Sequence, residues 1–312
     1  MPNWAAIDRL DFQAVPRQLI SGAELDRPTL EAILARAAAL KREPLSSRAL
    51  AGQAVALLFE RPSTRTRISF EVGIFELGGH PAVLRGEELQ LSRGESWKDT
   101  ALVLSRQVAA IGARTASDRA LAELAESASV PVFNMLTPSH HPCQALADLL
   151  TVREALGRLE GVKVAYVGAA TNVARSLALL GGLAGMEVAI ASPPGYGLDP
   201  GEREALHNPR LFEDPLEAVG GAQVLYTDVW VSMGEEAERE RREQALAPYR
   251  LDERLLEAAA PQAFVLHCLP AHPGKEISPS LLYGPRQRIW EQAENRRHAQ
   301  KALLEWLVGK LP

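Results

Sequence analysis

Three hydroxyls and two guanidinium groups stand within five residues at Ser63-Thr64-Arg65-Thr66-Arg67. Upstream runs an apolar segment, AVALLF at 54–59, of the length and character of a buried strand. Downstream, Ile68, Phe70, Val72, Ile74 and Phe75 follow a helical pattern, so the reading is strand, STRTR loop, then a helix from Ile68. The first N–H groups of a helix have no partner within it, and the helix dipole is positive at that end. Hydroxyls, arginines and free N–H groups gathered there suit a phosphate. The plain alternative is a capping Ser63 or Thr66 with solvated arginines.

Chemistry at a phosphate-bearing carbonyl compound needs more than an anion site. It needs a donor at the carbonyl oxygen and acceptors for the group that travels. Arg114, His141 and Gln144 are the candidates, with His141 and Gln144 three apart at a helix start and therefore on one face. Read singly, His141 is a capping histidine, Arg114 an ion-pair partner and Cys268 an inert core thiol.

These residues must be held by a scaffold, and the chain alternates strand and helix throughout. Asp26-Arg27-Pro28 marks the start of a first helix. Expected strands follow at 54–59, 81–84, 108–112, 130–134, 162–167, 187–191, 223–227 and 263–268. Helices are expected after the STRTR loop, after 95–99, over 117–127, 140–156 and 172–183, and at the C-terminus, 291–307. Residues 86–94 read as a polar loop, and the alternating charges of 234–244 as a solvated helix face. The pattern predicts an α/β protein of two doubly wound parallel-sheet domains joined by interdomain helices. The expected division is 1–138, completed by a C-terminal helix over 291–312, and 139–290. The strand-end positions of STRTR, Arg114, Asn134, Asn172, Asp228 and Cys268 are where such sheets bind ligands.

Composition sets outer limits. With 312 residues, two domains are the expectation. A net charge of −5 argues against a nucleic-acid surface, so any anion site must be local. No apolar stretch is long enough to span a bilayer and the N-terminus lacks a signal-peptide core, which predicts a cytoplasmic protein with no membrane partner. Cys143 and Cys268 form no CxxC pair, so neither a disulfide framework nor a structural zinc site is expected.

Taken together, STRTR, an arginine after the next long strand, HPCQALAD at 141–148 and HCLP at 267–270 resemble the pattern of the aspartate/ornithine carbamoyltransferase family, over roughly residues 50–300. DVWVSMG at 228–234 and the cysteine in HCLP are similar to the ornithine branch. The resemblance implies carbamoyl transfer from carbamoyl phosphate to the side-chain amine of L-ornithine, giving citrulline and phosphate, with arginine biosynthesis as the expected setting. It implies that Ser63, Thr64, Arg65, Thr66 and Arg296 hold the phosphate and that Arg114 and His141 face the carbonyl oxygen. Gln144, Cys268 and the Leu269 backbone would serve the carbamoyl end, and Asn172, Asp228, Ser232 and Met233 the amino acid, with Cys268 beside the attacking amine. Gln90 would reach a neighbouring subunit's site, implying a homotrimer or a multiple of trimers. No metal and no organic cofactor is implied, and the SMG stretch would act as a lid.

Some positions depart from the family pattern. Its turn near GDGNN is Gly168-Ala-Ala-Thr-Asn172 here, Met135 stands where glycine is common, and Ser139-His140 precede HPCQ. Three other readings stay open: a sister transferase for putrescine or an N-acylated ornithine, a dinucleotide oxidoreductase, and a catalytically idle relative. DVWVSMG argues against the first, and the lack of GxGxxG spacing against the second.

Overall fold

A computed structural model describes residues 16–231 and 236–312. Two all-parallel sheets account for the expected alternation. The first takes β1 (Ala54–Phe59), β2 (His80–Arg85), β3 (Ala110–Arg114) and β4 (Val132–Leu136) in the order β2-β1-β3-β4. The second takes β5 (Lys163–Val167), β6 (Glu187–Ala191), β7 (Arg210–Phe212), β8 (Val224–Thr227) and β9 (Phe264–His267) in the order β7-β6-β5-β8-β9. Both orders reverse direction beside the first strand, which opens a crevice at the carboxyl edge of each sheet.

Helices α1 (Arg27–Arg42), α2 (Thr64–Glu76), α3 (Trp97–Leu104) and α4 (Asp118–Ser127) accompany the first sheet. Helix α5 (Pro142–Leu156) leads into the second, which carries α6 (Asn172–Leu183), α7 (Pro215–Val219), α8 (Arg239–Leu246), α9 (Glu253–Ala258) and α10 (Pro279–Tyr283). Helix α11 (Ile289–Leu307) then returns to pack on α5, α1 and α2. Its position explains why α5 is covered on every side, its polar Gln144, Asp148 and Thr151 included: from Pro142 to Val152 each residue is buried. Truncating a leucine there, such as Leu146 or Leu149, would cost about 2–5 kcal/mol. The buried Glu305 carboxylate accepts from both Arg36 Nε at 2.6 Å and Nη2 at 2.9 Å, and Lys301 Nζ bonds Glu76 at 2.5 Å, tying α11 to α1 and α2.

Where strand and helix meet the site, two glycines are needed. Gly112 in β3 faces the Phe133 ring, which a β-carbon would meet at 2.4 Å, and Phe133 in turn packs on Phe70 with centroids 5.1 Å apart. Gly168, at the end of β5, has φ +134°, a conformation side chains disfavour.

Several boundaries differ from the sequence expectation. Helix α2 begins at Thr64, four residues before Ile68, because Ser63 caps it and accepts from Thr66 N at 3.4 Å. Most of STRTR is therefore the first helical turn itself. Strand β7 was not expected: three residues, Arg-Leu-Phe, are too few to show a period. A 3-10 turn, Gln90–Arg93, lies within the expected polar loop. Leu102 and Val103 of α3, with Ile68 and Phe75 of α2, are substantially exposed and not core. Ser232, Met233 and the rest of the SMG stretch lie outside the described residues. Among the described residues no helix is long and apolar enough to cross a membrane.

Candidate active site

A cleft of about 920 Å³ opens between the two sheets, lined by Ser63–Thr66, Arg114 and His141 on one side and by Asn172, Asp228, Cys268 and Leu269 on the other. Arg296, from the returning helix α11, completes it.

The first wall is cationic. Ser63 is the N-cap of α2, and its hydroxyl donates to Thr66 Oγ1 at 3.1 Å. Thr66 Oγ1 also accepts from Arg296 Nη2 at 2.6 Å. Arg114 ends β3, 7% exposed, with Nε unbonded. Burial pulls its guanidinium down to about 10, and Arg296, Arg65 and Arg61 pull the same way. Burial likewise lowers Arg296 and Arg65. Several like charges held together out of water disfavour one another, and a bound anion relieves them. His141 caps α5 through its backbone, its N–H bonding Ser176 Oγ at 2.7 Å, and its Nδ1 has no partner. Burial first, then Arg296 and Arg114, drives its pKa well below the ordinary histidine value, so the imidazole is neutral.

Behind that wall runs a buried polar network. Arg296 Nη1 donates to Gln144 Oε1 at 2.5 Å, and Gln144 Nε2 donates to Asp148 Oδ1 at 2.8 Å. Asp148, fully buried, also accepts from Gln292 Nε2 at 2.7 Å and Tyr226 O–H at 3.1 Å. Burial raises its carboxyl to about 6 against the pull of these donors. The network runs from Thr66 through α11 and α5 to β8, so it joins the phosphate-type loop to the second sheet. Gln144, expected at the carbamoyl end, is 1% exposed and bonds the cleft residue Arg296.

The second wall is built from neutral hydrogen bonds around one carboxylate. Asp228 follows β8. Its Oδ1 accepts from Cys268 Sγ at 2.8 Å and Val229 N at 2.7 Å, and its Oδ2 from Thr171 Oγ1 at 3.3 Å. Thr171, in the divergent GAATN turn, also caps α6 and pairs with Tyr166 O–H at 3.2 Å. Burial and then the Asp228 carboxylate push the Cys268 thiol well up, keeping it protonated. Asn172 Nδ2 donates to Thr137 O at 2.7 Å, bridging from α6 to the loop after β4.

The structure thus gathers Ser63, Thr64, Arg65, Thr66, Arg114, His141, Asn172, Asp228, Cys268, Leu269 and Arg296 in one cleft. Gln90 sits exposed on its 3-10 turn and lines none of it. Asn134 lies inside β4, fully buried, where its Nδ2 bonds Ile20 O at 2.8 Å and holds the incoming chain. Sequence reasoning passed over Thr171, His267, His272, Tyr196 and Arg242. Only Thr171 carried a local signal, as a residue of capping type before a helix. Asp228, His267 and Cys268 bring ligand-type atoms within 4.8 Å of one another. Both His267 nitrogens, however, are already engaged, Nδ1 by Leu269 N at 2.8 Å and Nε2 by Glu276 at 3.3 Å.

Two family models match successive parts of the chain. Residues 17–154 match the model of the aspartate/ornithine carbamoyltransferase carbamoyl-P binding domain, and residues 160–307 that of the Asp/Orn binding domain. The chain is 52% identical over 279 residues to an ornithine carbamoyltransferase of Parafrankia sp. (strain EAN1pec), covering 86% of this chain and 87% of that one. It is 49% identical to an ornithine carbamoyltransferase of Acidothermus cellulolyticus, with 94% and 96% covered. The solved ornithine carbamoyltransferase from Pyrococcus furiosus superposes with a TM-score of 0.90 at 42% identity, over 95% of this chain and 98% of that one.

Proposed function

The chain belongs to the aspartate/ornithine carbamoyltransferase family, and we propose that it transfers the carbamoyl group of carbamoyl phosphate to the side-chain amine of L-ornithine, giving L-citrulline and phosphate. One observation carries this reading: a guanidinium-rich anion wall faces the Asp228–Cys268 pair across a single cleft.

In this account the phosphate rests on the first turn of α2, at Ser63, Thr64, Arg65 and Thr66, with Arg296 behind it. Arg114 and neutral His141 donate to the carbonyl oxygen, which gains charge as the tetrahedral intermediate forms. Asp228 takes the α-ammonium, Asn172 and the start of α6 take the α-carboxylate, and the side-chain amine lies near Cys268, a reading supported by all three residues lining one cleft. The amine attacks the carbonyl carbon with its lone pair. The carbon–oxygen bond to phosphate breaks, and phosphate leaves with those electrons as the nearest base for the proton the amine sheds. The attacking amine must be neutral, so the rate rises with pH. Ser232, Met233 and Gln144 keep the roles implied by resemblance, with Gln144 also bonding Arg296.

We assign 1–138 with 291–312 to carbamoyl phosphate and 139–290 to ornithine, with α5 and α11 as the interdomain helices. A homotrimer is supported by the exposed Ile68, Phe75, Leu102 and Val103 on α2 and α3 and by Gln90 standing away from its own cleft. Free thiols at Cys143 and Cys268 fit a cytoplasmic setting, with arginine biosynthesis the context.

The test is citrulline formation with L-ornithine, putrescine, N-acetyl-L-ornithine and L-aspartate offered in parallel. Turnover confined to ornithine is expected. Preference for another amine would discard the assignment of the second wall, and no turnover at all would discard the reaction.

A further inference from the structure

The turn that carries Cys268 and Leu269 into the cleft is held by two buried residues, neither of which lines it. His267, the last residue of β9, is 1% exposed, and its Nδ1 accepts from Leu269 N at 2.8 Å. That bond folds the chain back over Cys268 and accompanies φ +60° at Leu269, a left-handed conformation leucine otherwise avoids. Because Nδ1 is an acceptor, the ring proton sits on Nε2, which donates to Glu276 Oε1 at 3.3 Å. Glu276 is completely buried, and the same oxygen accepts from His272 N at 2.5 Å. Its own backbone is fixed, since its carbonyl accepts from Leu251 N at 2.9 Å and the adjacent Ile277 is core.

We propose that His267 and Glu276 form a clasp, positioning the Cys268–Leu269 turn for the amine and carbamoyl ends of the reaction without contacting substrate. Glu276 is the anchor, the imidazole the arm, and the Leu269 N–H the point of attachment. With the arm gone, Leu269 loses the bond that accompanies its left-handed conformation and Cys268 loses its fixed aim at Asp228. The phosphate wall belongs to other elements and stays as it was.

This proposal rests on the carbamoyl-transfer reading for its kinetic consequences but not for its structural one, and the experiment separates the two. Alkylation of Cys268 by iodoacetamide, followed by mass spectrometry, needs no turnover. Cys143 is silent in it, being fully buried with its thiol pushed up to about 12. His267→Ala and Glu276→Ala are expected to label Cys268 at least ~10-fold faster than the parent chain. In ornithine turnover they should lose ~30-fold or more in kcat, with inhibition by inorganic phosphate unchanged within about twofold. His267→Asn keeps an acceptor within reach of the Leu269 N–H, and Glu276→Gln keeps one for His267. Both should recover labelling and kcat to within about threefold of the parent chain.

Should the alanine variants unfold, the conservative pair still decides, since the clasp predicts near-parent behaviour for both. Labelling at the parent rate in His267→Ala, equal loss of phosphate binding, or an Asn variant no better than alanine would each overturn the clasp. A clasp supported by labelling in a chain that does not carbamoylate ornithine would leave the positioning intact and remove only the reaction.

Discussion

The two walls of the cleft solve opposite electrostatic problems. On the side of the first sheet, burial lowers the pKa values of Arg65, Arg114 and Arg296, which crowd together, and Arg296 bonds a hydroxyl and an amide carbonyl. On the side of the second, one carboxylate is already served by a thiol, a threonine hydroxyl and a backbone N–H. The first wall keeps buried like charges together until an anion arrives, whereas the carboxylate of the second already has its hydrogen bonds. The contrast teaches where binding energy enters: phosphate relieves repulsion, while the amino acid exchanges one set of hydrogen bonds for another.

The largest expected effect breaks the first wall. Arg114→Gln should lower kcat/KM for carbamoyl phosphate by roughly 10³-fold, as removal of a preorganised donor to a developing oxyanion does. Because Arg114 is held among like charges, the same variant should melt no lower than the parent chain without ligand, and a few degrees higher is the expected sign. Steady-state kinetics beside a thermal melt checks both halves. A clear drop in melting temperature would mean that the arginines are structural and not waiting for an anion.

The second wall should fail differently. Asp228→Asn keeps the shape and removes the charge that meets an ammonium, so kcat/KM for ornithine should fall by about 10²-fold. Inhibition by phosphate should stay within about twofold of the parent. A matching loss of phosphate binding would show that the walls are not separable.

The smallest effect concerns the network that joins them. Asp148, raised to about 6 by burial, binds a proton more readily folded than unfolded. Its contribution to stability is therefore greatest below the unfolded value near 3.8, falls as pH rises through about 6, and is flat above. A shift of about two pH units corresponds to roughly 3 kcal/mol at most. Urea unfolding of the parent and Asp148→Asn at pH 4.5, 5.5 and 7 should show the stability difference between them changing across that window. A constant difference would mean that Asp148 keeps an ordinary pKa.

What could be read before the structure follows the range of the interactions. The STRTR site was legible because strand, cap and helix are neighbours in the chain, although apolar periodicity placed the helix start at Ile68 while the cap at Ser63 starts it earlier. Both parallel sheets were legible from alternation, apart from β7, which is too short to carry a pattern. Asp148 stood visible in HPCQALAD, but its role depends on Tyr226 and Gln292, 78 and 144 residues away, and no local period announces such partners. The same distance hides the partner of Gln144, whose carbonyl accepts from Arg296, 152 residues on. His267 and Glu276 are only nine apart, yet they meet across an irregular loop in which spacing has no meaning.

The most direct test of a two-walled cleft is calorimetric titration with one molecule that carries both ends, an ornithine whose side-chain amine is acylated by phosphonoacetate. The account predicts one bound per chain, at least ~10³-fold tighter than phosphate or ornithine alone because the second end binds as part of the same molecule. Most of that gain should vanish in Arg114→Gln and, independently, in Asp228→Asn. Binding no tighter than phosphate alone, or unchanged in Asp228→Asn, would contradict it.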